Sequence, residues 1–516
     1  MPQERIEDVV RESLPTLRAA RALAARPGYR LDRGRLTMEP AVVVLAGTET
    51  AREKIPERLG GYRTDVRGAS ATETLRAKDP EGYAQAAARV PPEHRLARFP
   101  GEVDVATGKP VAAPLPANPT VPYTPPPGVP LAPVTDRMSL TCSASPDAGW
   151  AVLAAFLAAV KQGLTVGMYD FTSAHVLAAV RAALGSAGTL SLVLDDPPRN
   201  PTADQTDEES EQALARALGS RQSFAWAAEA LDPRVSKAIF PSAYHIKVAV
   251  RDRAAFWLSS GNWNNSNQPV VDPWKDPTGA AAIAAKSDRD WHVVVEHPGL
   301  SRTLESYLRH DLAVAEGLQA TAARAASPLP QALLAGGASL APRPSPRRFF
   351  HPLTVSSEVA SVQPLLTPDL GSGNYASNLL ALLESAKQKL YIQTQYVHPP
   401  QGGEDAPFRA LVDAVRQKMQ AGLDVRVILS EYETAPYLEQ LQAAGWNLAQ
   451  VRIQRGVHNK GFVVDSSAVA VGSQNWSGDG VLRNRDATLV IRHAGVAQYF
   501  EGIFLADWEE LAAPAA

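Results

Sequence analysis

The sequence predicts an α/β protein made of two similar halves, with a small additional α/β module at the N-terminus. A short motif of fixed spacing occurs twice, and the predicted helices and strands before each copy follow the same order. Within each half, helices alternate with strands, which favours a mainly parallel sheet covered by helices. The length of 516 residues also exceeds what one hydrophobic core normally supports.

The repeated motif consists of a His, a Lys two residues later, an Asp five further on, a Ser eight further on and an Asn two after the Ser. Side chains two apart on a strand share a face, so these groups converge. An imidazole, an ammonium, a hydroxyl and an amide together suit phosphate oxygens. The first copy is His245, Lys247, Asp252, Ser260 and Asn262, and the second is His458, Lys460, Asp465, Ser473 and Asn475.

This pair of motifs resembles the phospholipase D superfamily, whose two-domain members carry the series His-x-Lys, Asp and Gly-Ser-x-Asn twice. The chain departs from the pattern only at Ser259, where the family usually has Gly. The resemblance covers residues 138–516 and implies two phospholipase D-like α/β sandwich domains packed as a pseudo-dimer. Both His-x-Lys segments would then meet at the interface between the halves.

The resemblance also implies a reaction at a phosphodiester. One His would attack phosphorus and form a phosphohistidine, while the other would protonate the leaving alcohol and then deprotonate water or an acceptor alcohol. It points to His245 as the nucleophile and His458 as the acid and base. The motif Lys and Asn residues would hold the non-bridging oxygens, and Ser260 and Ser473 would assist as hydroxyl donors.

Four acids are assigned two different roles. Each motif is followed by Arg-Asp at the head of an apolar strand, and in the family an acid at this place bonds to a catalytic His. We carry that orienting role to Asp290 and Asp486. Asp252 and Asp465 lie where a strand passes into a turn, so we expect them to be structural, bonding turn amides or a Lys.

The halves differ in one respect. Asn262 and Asp290 are 28 residues apart, whereas Asn475 and Asp486 are 11 apart, so the first half carries an insert. We expect the insert to rim the pocket and to shape leaving-group choice. It includes Asn264, Asn265, Asn267, Trp274 and Asp276.

Proline content and pattern changes predict the domain boundaries. Ten prolines between residues 110 and 133 exclude a compact helix or sheet there. The predicted parts are an N-terminal module at 1–100, a Pro-rich linker at 101–137, a first phospholipase D-like domain at 138–326, a second linker at 327–350 and a second such domain at 351–516.

Individual elements follow from apolar periodicity. The N-terminal module is predicted to contain helices at 6–25 and 48–59 and strands at 41–46 and 62–66. The first half is predicted to contain helices at 149–161 and 174–183, strands at 164–171 and 189–194, an exposed acidic segment at 208–211 and a motif strand at 254–260. The second half is predicted to contain helices at 375–387, 407–421 and 437–445, strands at 389–396 and 424–430, and a motif strand at 468–473.

Charge bears on the substrate. The net charge is −3, and residues 351–516 contain 12 Lys and Arg against 17 Asp and Glu, or −5. A nonspecific nucleic-acid binder normally shows the reverse, so a phospholipid is the favoured substrate, with a membrane surface as a second partner. A nuclease with the same chemistry is the alternative, favoured if Arg residues near 343–348 and at 452, 455, 483 and 485 line one groove. A non-catalytic phosphate-binding protein is disfavoured because both motifs are intact.

Other sequence features are weak or negative. Cys142 is the only cysteine, so no intrachain disulfide is expected. The first residues are charged, and the longest apolar run, residues 151–160, is too short to span a membrane. We therefore expect a cytoplasmic protein. No metal-binding motif is visible, so we expect a site that works without a metal or another cofactor.

Overall fold

The computed structural model describes most of the chain in several stretches. The described residues are 5–32, 35–80, 83, 99, 101–111, 123–195, 204–228, 238–319, 348–368, 374–400 and 405–515. The greater part of the second predicted linker, with Arg343 and Arg347, lies outside them, as do residues 112–122 of the first. The structure is a mixed α/β fold with a small N-terminal α/β module, as the sequence predicted.

The N-terminal module is a five-stranded sheet with short helices. The strands, in the order β3-β4-β2-β1-β5, are β1 Ala22–Asp32, β2 Arg35–Ala46, β3 Arg58–Leu59, β4 Tyr62–Gly68 and β5 Val103–Asp104. The helices are α1 Ile6–Glu12, α2 Leu14–Ala19, α3 Glu49–Lys54 and α4 Ala71–Lys78.

The predicted helix at 6–25 was too long. The chain leaves the helical region at Arg21, whose φ is 59°, and residues from Ala22 onward pair with β2. Helix propensity of the alanines there is overridden by their burial in the sheet. The module contacts the second half through Glu439, which accepts from Arg26 and Arg67 at 2.5 Å each.

The remaining described strands form one fifteen-stranded sheet whose order is symmetric about the β13–β6 pair, except that β20 is an additional strand at one edge. That order is β20-β16-β15-β14-β17-β18-β19-β13-β6-β12-β11-β10-β7-β8-β9. The first half supplies β6 Val134–Ser145, β7 Gly163–Met168, β8 Thr189–Leu194, β9 Gln222–Trp226, β10 Lys247–Arg251, β11 Ala255–Ser259 and β12 Asp290–Glu296. The second half supplies β13 Leu353–Thr367, β14 Lys389–Thr394, β15 Asp424–Leu429, β16 Val451–Ile453, β17 Lys460–Val464, β18 Ala468–Gly472, β19 Asp486–Arg492 and β20 Ala513–Pro514.

The prediction of a mainly parallel sheet was wrong. Only the pairs within β7-β8-β9 and within β14-β15-β16 are parallel, and the other pairs of this sheet are antiparallel. The motif strands are joined by tight turns, which permit only antiparallel neighbours. The halves meet through β6 and β13, two long antiparallel strands that were not predicted.

Helices cover the sheet. One long helix follows β12 in the first half, and one follows β19 in the second half. The first half contains α5 Gly149–Ala158, α6 Ala174–Leu184, α7 Asp207–Leu218, α8 Pro277–Ala284 and α9 Pro298–Gln319. The second half contains α10 Asn374–Glu384, α11 Ala406–Gln420, α12 Ala435–Ala443, α13 Gly478–Leu482 and α14 Ala494–Glu510. The acidic segment at 208–211, predicted to be exposed, forms the capped first turn of α7 and is only partly exposed.

Both halves contribute to one hydrophobic core. Trp291 of β12 stacks on Phe500 of α14 with ring centroids 4.7 Å apart. The Trp291 ring also lies so close to Gly461 of β17 that a Cβ there would be 2.3 Å from it. Glycine at 461 therefore lets the motif strands of the two halves approach each other.

One buried Arg of each half bonds the long helix of the other half. Arg289, just before β12, bonds Asp507 of α14 at 2.8 Å, and Arg485, just before β19, bonds Asp311 of α9 at 2.8 Å. Tyr123, in the predicted Pro-rich linker, is buried and donates to Asp311 at 2.6 Å. This end of the linker is thus anchored at the interface between the halves.

Asp311→Ala should destabilise the protein strongly, because it leaves the Arg485 charge buried without its partner. Breaking a buried ion pair in this way costs about 3–5 kcal/mol. Asp413→Ala, which removes a partly exposed pair with Arg416, should cost less than about 1 kcal/mol. Denaturant unfolding of both variants checks this, and equal stabilities would contradict the assignment.

Candidate active site

The two His-x-Lys segments lie at the start of equivalent strands. His245 and His458 directly precede β10 and β17, and Lys247 and Lys460 are the first residues of those strands. Each Lys ammonium donates back to the carbonyl oxygen of its own motif His, at 2.6 Å in the first half. The imidazole and ammonium of each motif are therefore held side by side, as the two-residue spacing predicted.

Each catalytic His candidate is paired with the acid of the opposite half. His245 Nδ1 lies 2.8 Å from Asp486 Oδ1, and His458 Nδ1 lies 2.9 Å from Asp290 Oδ1. Backbone hydrogen bonds also join the two halves here. Arg289 N donates to Gly456 O at 2.6 Å, and His458 N donates to Arg289 O at 3.1 Å. The site is therefore composite, and neither half is complete without the other.

The motif Ser residues hold these acids. Ser260 Oγ donates to Asp290 Oδ1 at 2.6 Å, and Ser473 Oγ donates to Asp486 Oδ1 at 2.5 Å. Each hydroxyl hydrogen is directed at an acid of its own half, so the structure places both Ser residues behind the acids. The prediction that both Ser residues assist as hydroxyl donors concerns a bound substrate, and in this structure the hydroxyls donate to Asp290 and Asp486.

The motif Asn residues are buried, and part of their hydrogen-bonding capacity is unused. Within the described residues, Oδ1 of Asn262 and Oδ1 of Asn475 have no hydrogen-bond partner. Each Oδ1 can accept a hydrogen bond from a ligand, whereas a contact with a phosphate oxygen requires a donor, which is the Nδ2 amide of the same side chain.

The two His–Asp pairs differ electrostatically. Burial lowers the pKa of His245 well below its usual value, and Lys247 and Lys460 lower it further. Burial also raises the pKa of its partner Asp486 to about 8. In the other pair, burial would raise the pKa of Asp290, but His458 and Lys460 hold it at about 2. His245 is therefore the more neutral imidazole, while His458 faces an ionised carboxylate.

Asp252 and Asp465 have matching positions away from the His pair. Asp252 accepts from the amides of residues 161–163 at 2.7–3.0 Å, and Asp465 accepts from those of residues 387–389 at 2.9 Å. Each also begins a pair of residues with positive φ in the turn between the motif strands. The structure thus places each acid between the motif turn and the start of β7 or β14.

Residues 379–508 match the family model described as "Cardiolipin synthase, PLD-like domain". The matched segment contains the second motif, from His458 to Asp486, and is similar to phospholipase D-like domains. No curated protein matches the chain.

Three solved structures are similar to different shares of this chain. Phosphatidylserine synthase of Haemophilus influenzae Rd KW20 is 13% identical, with 73% of this chain and 89% of that chain covered and a TM-score of 0.47. The phospholipase D family member Nuc of Salmonella typhimurium is 21% identical, covering 30% and 96%, with a TM-score of 0.24. NucT of Helicobacter pylori is 15% identical, covering 30% and 99%, with a TM-score of 0.26.

Ser259 stands where the second motif has Gly472, and this difference has a local reason. Ser259 Oγ lies 2.7 Å from His292 Nδ1. The equivalent pair in the second half is Gly472 and Thr488, where a Cβ on Gly472 would lie 1.6 Å from Thr488 Oγ1. His292 stands in the position of Thr488 and bonds the hydroxyl of Ser259.

Asn267 supports the candidate site through contacts that the motif spacing did not predict. Its amide donates to Asp290 Oδ2 at 2.9 Å and to Asp288 Oδ2 at 3.0 Å, and its Oδ1 accepts from Asn262 N at 3.0 Å. It comes from the insert, so the first half alone contains it. Asn264 and Asn265 instead bond Asp170 and Asp204.

Aromatic residues complete the surroundings. Tyr169, after β7, lies 4.7 Å from the His245 ring and 5.0 Å from Lys247 Nζ, measured to ring centroids. It was not predicted, because a single Tyr after a buried strand carries no pattern. Trp263 and Trp476 are buried and pack against Phe171 and Phe462, respectively.

Asn267→Ala should lower turnover about tenfold or more, because a hydrogen bond to a charged group contributes about 1.5–3 kcal/mol. Asn267→Asp should be worse at neutral pH and should recover as the pH falls, since a protonated carboxyl can again donate to Asp290. Asn378→Ala removes an amide with two hydrogen bonds far from the motifs and is the control. Rate–pH profiles check this, and unchanged profiles would refute a positioning role.

Asp290→Asn should shift the alkaline limb of the rate–pH profile to lower pH by at least about one unit. Because the ionised Asp290 favours protonated His458, its removal lowers the pKa of His458, and the protonated acid is lost earlier as pH rises. An unmoved limb in kcat/KM would show that His458 does not act as the acid.

Proposed function

We propose that the protein is a phosphodiesterase of the phospholipase D type that acts on phospholipids through a phosphohistidine intermediate and needs no metal. The observation that carries the proposal is the crossed arrangement of His245–Asp486 and His458–Asp290. With each Nδ1 occupied by an Asp side chain, each Nε2 is the nitrogen left for chemistry.

The two imidazoles suit different steps. A neutral imidazole is the form that can attack phosphorus, and the depressed pKa of His245 favours that form. His245 Nε2 would bond to phosphorus while the bond from phosphorus to the head-group oxygen breaks. His458, facing ionised Asp290, would give its proton to that oxygen, a contribution worth about 10²–10⁴ in rate.

The second step regenerates the enzyme. His458 would take a proton from water, and the oxygen would attack phosphorus and displace His245. Phosphatidate and the free head group are then the products, or a transferred phosphatidyl group if another alcohol replaces water. Lys247, Lys460, Asn262 and Asn475 would hold the non-bridging oxygens as their charge grows.

The arginines support a lipid over a nucleic acid. The nuclease alternative is favoured if the arginines line one groove, and most of those described have acidic or aromatic partners instead. Arg348 pairs with Glu510, Arg452 lies over Trp508, Arg483 pairs with Asp405, and Arg485 is buried against Asp311. Arg455 is exposed, and Arg343 and Arg347 lie outside the described residues.

The substrate class is tested with fluorescent phospholipid in liposomes beside labelled single- and double-stranded DNA, all in EDTA. We expect lipid turnover, lost by at least about 10³-fold in His245→Asn and retained in His310→Asn, a His substitution away from the motifs. DNA cleavage without lipid cleavage would establish the nuclease alternative instead. Activity that appears only after a metal is restored would refute the proposal that the reaction needs no metal.

Trapping distinguishes the two His residues. With an activated leaving group that needs no acid, His458→Asn should accumulate phosphoenzyme, because the second step still lacks its base. His245→Asn should accumulate none. The reverse pattern, read by acid-quenched labelling, would exchange the two roles.

A further inference from the structure

Exposed apolar side chains concentrate in the insert of the first half. In the described part of the chain, five large apolar residues are exposed, and three lie between residues 270 and 283. These are Val270 at 57%, Trp274 at 42% and Ile283 at 41% of their full accessibility. Single exposed apolar residues are normal, but a local concentration marks an interaction surface.

This apolar segment is firmly attached to the body of the protein. Pro269 and Pro273 are buried, and Trp274 stacks on His351 of the second half with ring centroids 4.0 Å apart. Asp276 caps α8 by accepting from Gly279 N at 2.9 Å. Because these contacts hold the backbone, the exposed side chains belong to a structured surface.

The same insert reaches the active site. Asn267, three residues before Val270, bonds both Asp290 and the backbone of Asn262. A surface that begins beside the acid of the His458 pair is well placed to bring a substrate to it.

The chemistry of the segment fits a bilayer surface. Residues 264–287 contain two Lys and two Asp, so the segment has no net charge, although the whole chain is at −3. Lys275 and Asp272 also pair with each other at 2.9 Å. A neutral segment that exposes a Trp, a Val and an Ile is typical of segments that enter the interfacial region of a membrane.

We infer that Val270, Trp274 and Ile283 form a membrane-contact surface that seats the active site on a phospholipid bilayer. This inference rests on the proposed phospholipid substrate. It assigns the insert a role different from leaving-group choice, since the surface would act on bilayer substrate and not on a dissolved one.

The test compares binding to phosphatidylcholine–phosphatidylglycerol vesicles by flotation with turnover of vesicle lipid and of monomeric dibutyryl-phosphatidylcholine, all in EDTA. The double variant Val270→Ser/Ile283→Ser should lose about tenfold in vesicle binding and vesicle turnover, because it removes apolar area from the contact. Turnover of the monomeric lipid should stay within about twofold. Met38→Ser/Val359→Ser, which changes the two exposed apolar residues outside the insert, is the control.

A second measurement is independent of the folding of the double variant. Brominated acyl chains should quench part of the Trp fluorescence of the wild-type protein, and Trp274→Phe should remove that part. Equal quenching in both, unchanged vesicle binding of the double variant, or equal losses on vesicle and monomeric lipid would each overturn the inference. Monomer turnover that survives in His245→Asn would instead refute the proposed function and leave the vesicle-binding result standing.

Discussion

The crossed hydrogen bonds between each motif His and the acid of the opposite half are the constraint on which the rest of the structure depends. Asp290 and Asp486 can reach across only if β12 and β19 start at the interface between the halves. The preceding residues, Arg289 and Arg485, bond the long helix of the other half and fix that start. A site assembled from both halves requires that the halves be held together. The ion pairs, the shared hydrophobic core and the close approach at Gly461 hold them in this way.

Similar halves do not make equivalent sites. The first half has Asn267 on the Asp290 carboxylate, and it has Ser259 and His292 where the second half has Gly472 and Thr488. The pKa values of the two acids move in opposite directions accordingly, because ionised Asp290 faces His458 and Lys460 whereas burial dominates at Asp486. Such a difference allows one imidazole to be the nucleophile and the other the acid within a repeated fold.

The sequence predicted the features that spacing or periodicity encodes. Residues that repeat at fixed intervals predicted the two motifs and the bounds of β8. They also predicted β14, β15 and the helices α11 and α12 that flank β15. Contacts between distant parts did not follow, because side-chain spacing describes one strand and not its partner. The crossing of the pairs, the antiparallel strands β6 and β13, and the positions of Asp311 and Asp507 depend on how the halves associate. Asn267 was visible only as part of an insert, since its amide acts on an acid twenty-three residues later.

The composite site is tested most directly by the binding of orthovanadate, a phosphate analogue that accepts imidazole nitrogen as a ligand. We expect one vanadate per chain by titration calorimetry, lying between Nε2 of His245 and Nε2 of His458 in a crystal structure of the complex. We also expect His245→Asn and His458→Asn each to abolish binding, because both halves hold the same anion. Two vanadates per chain, one in each half and each insensitive to the His of the other, would contradict a composite site.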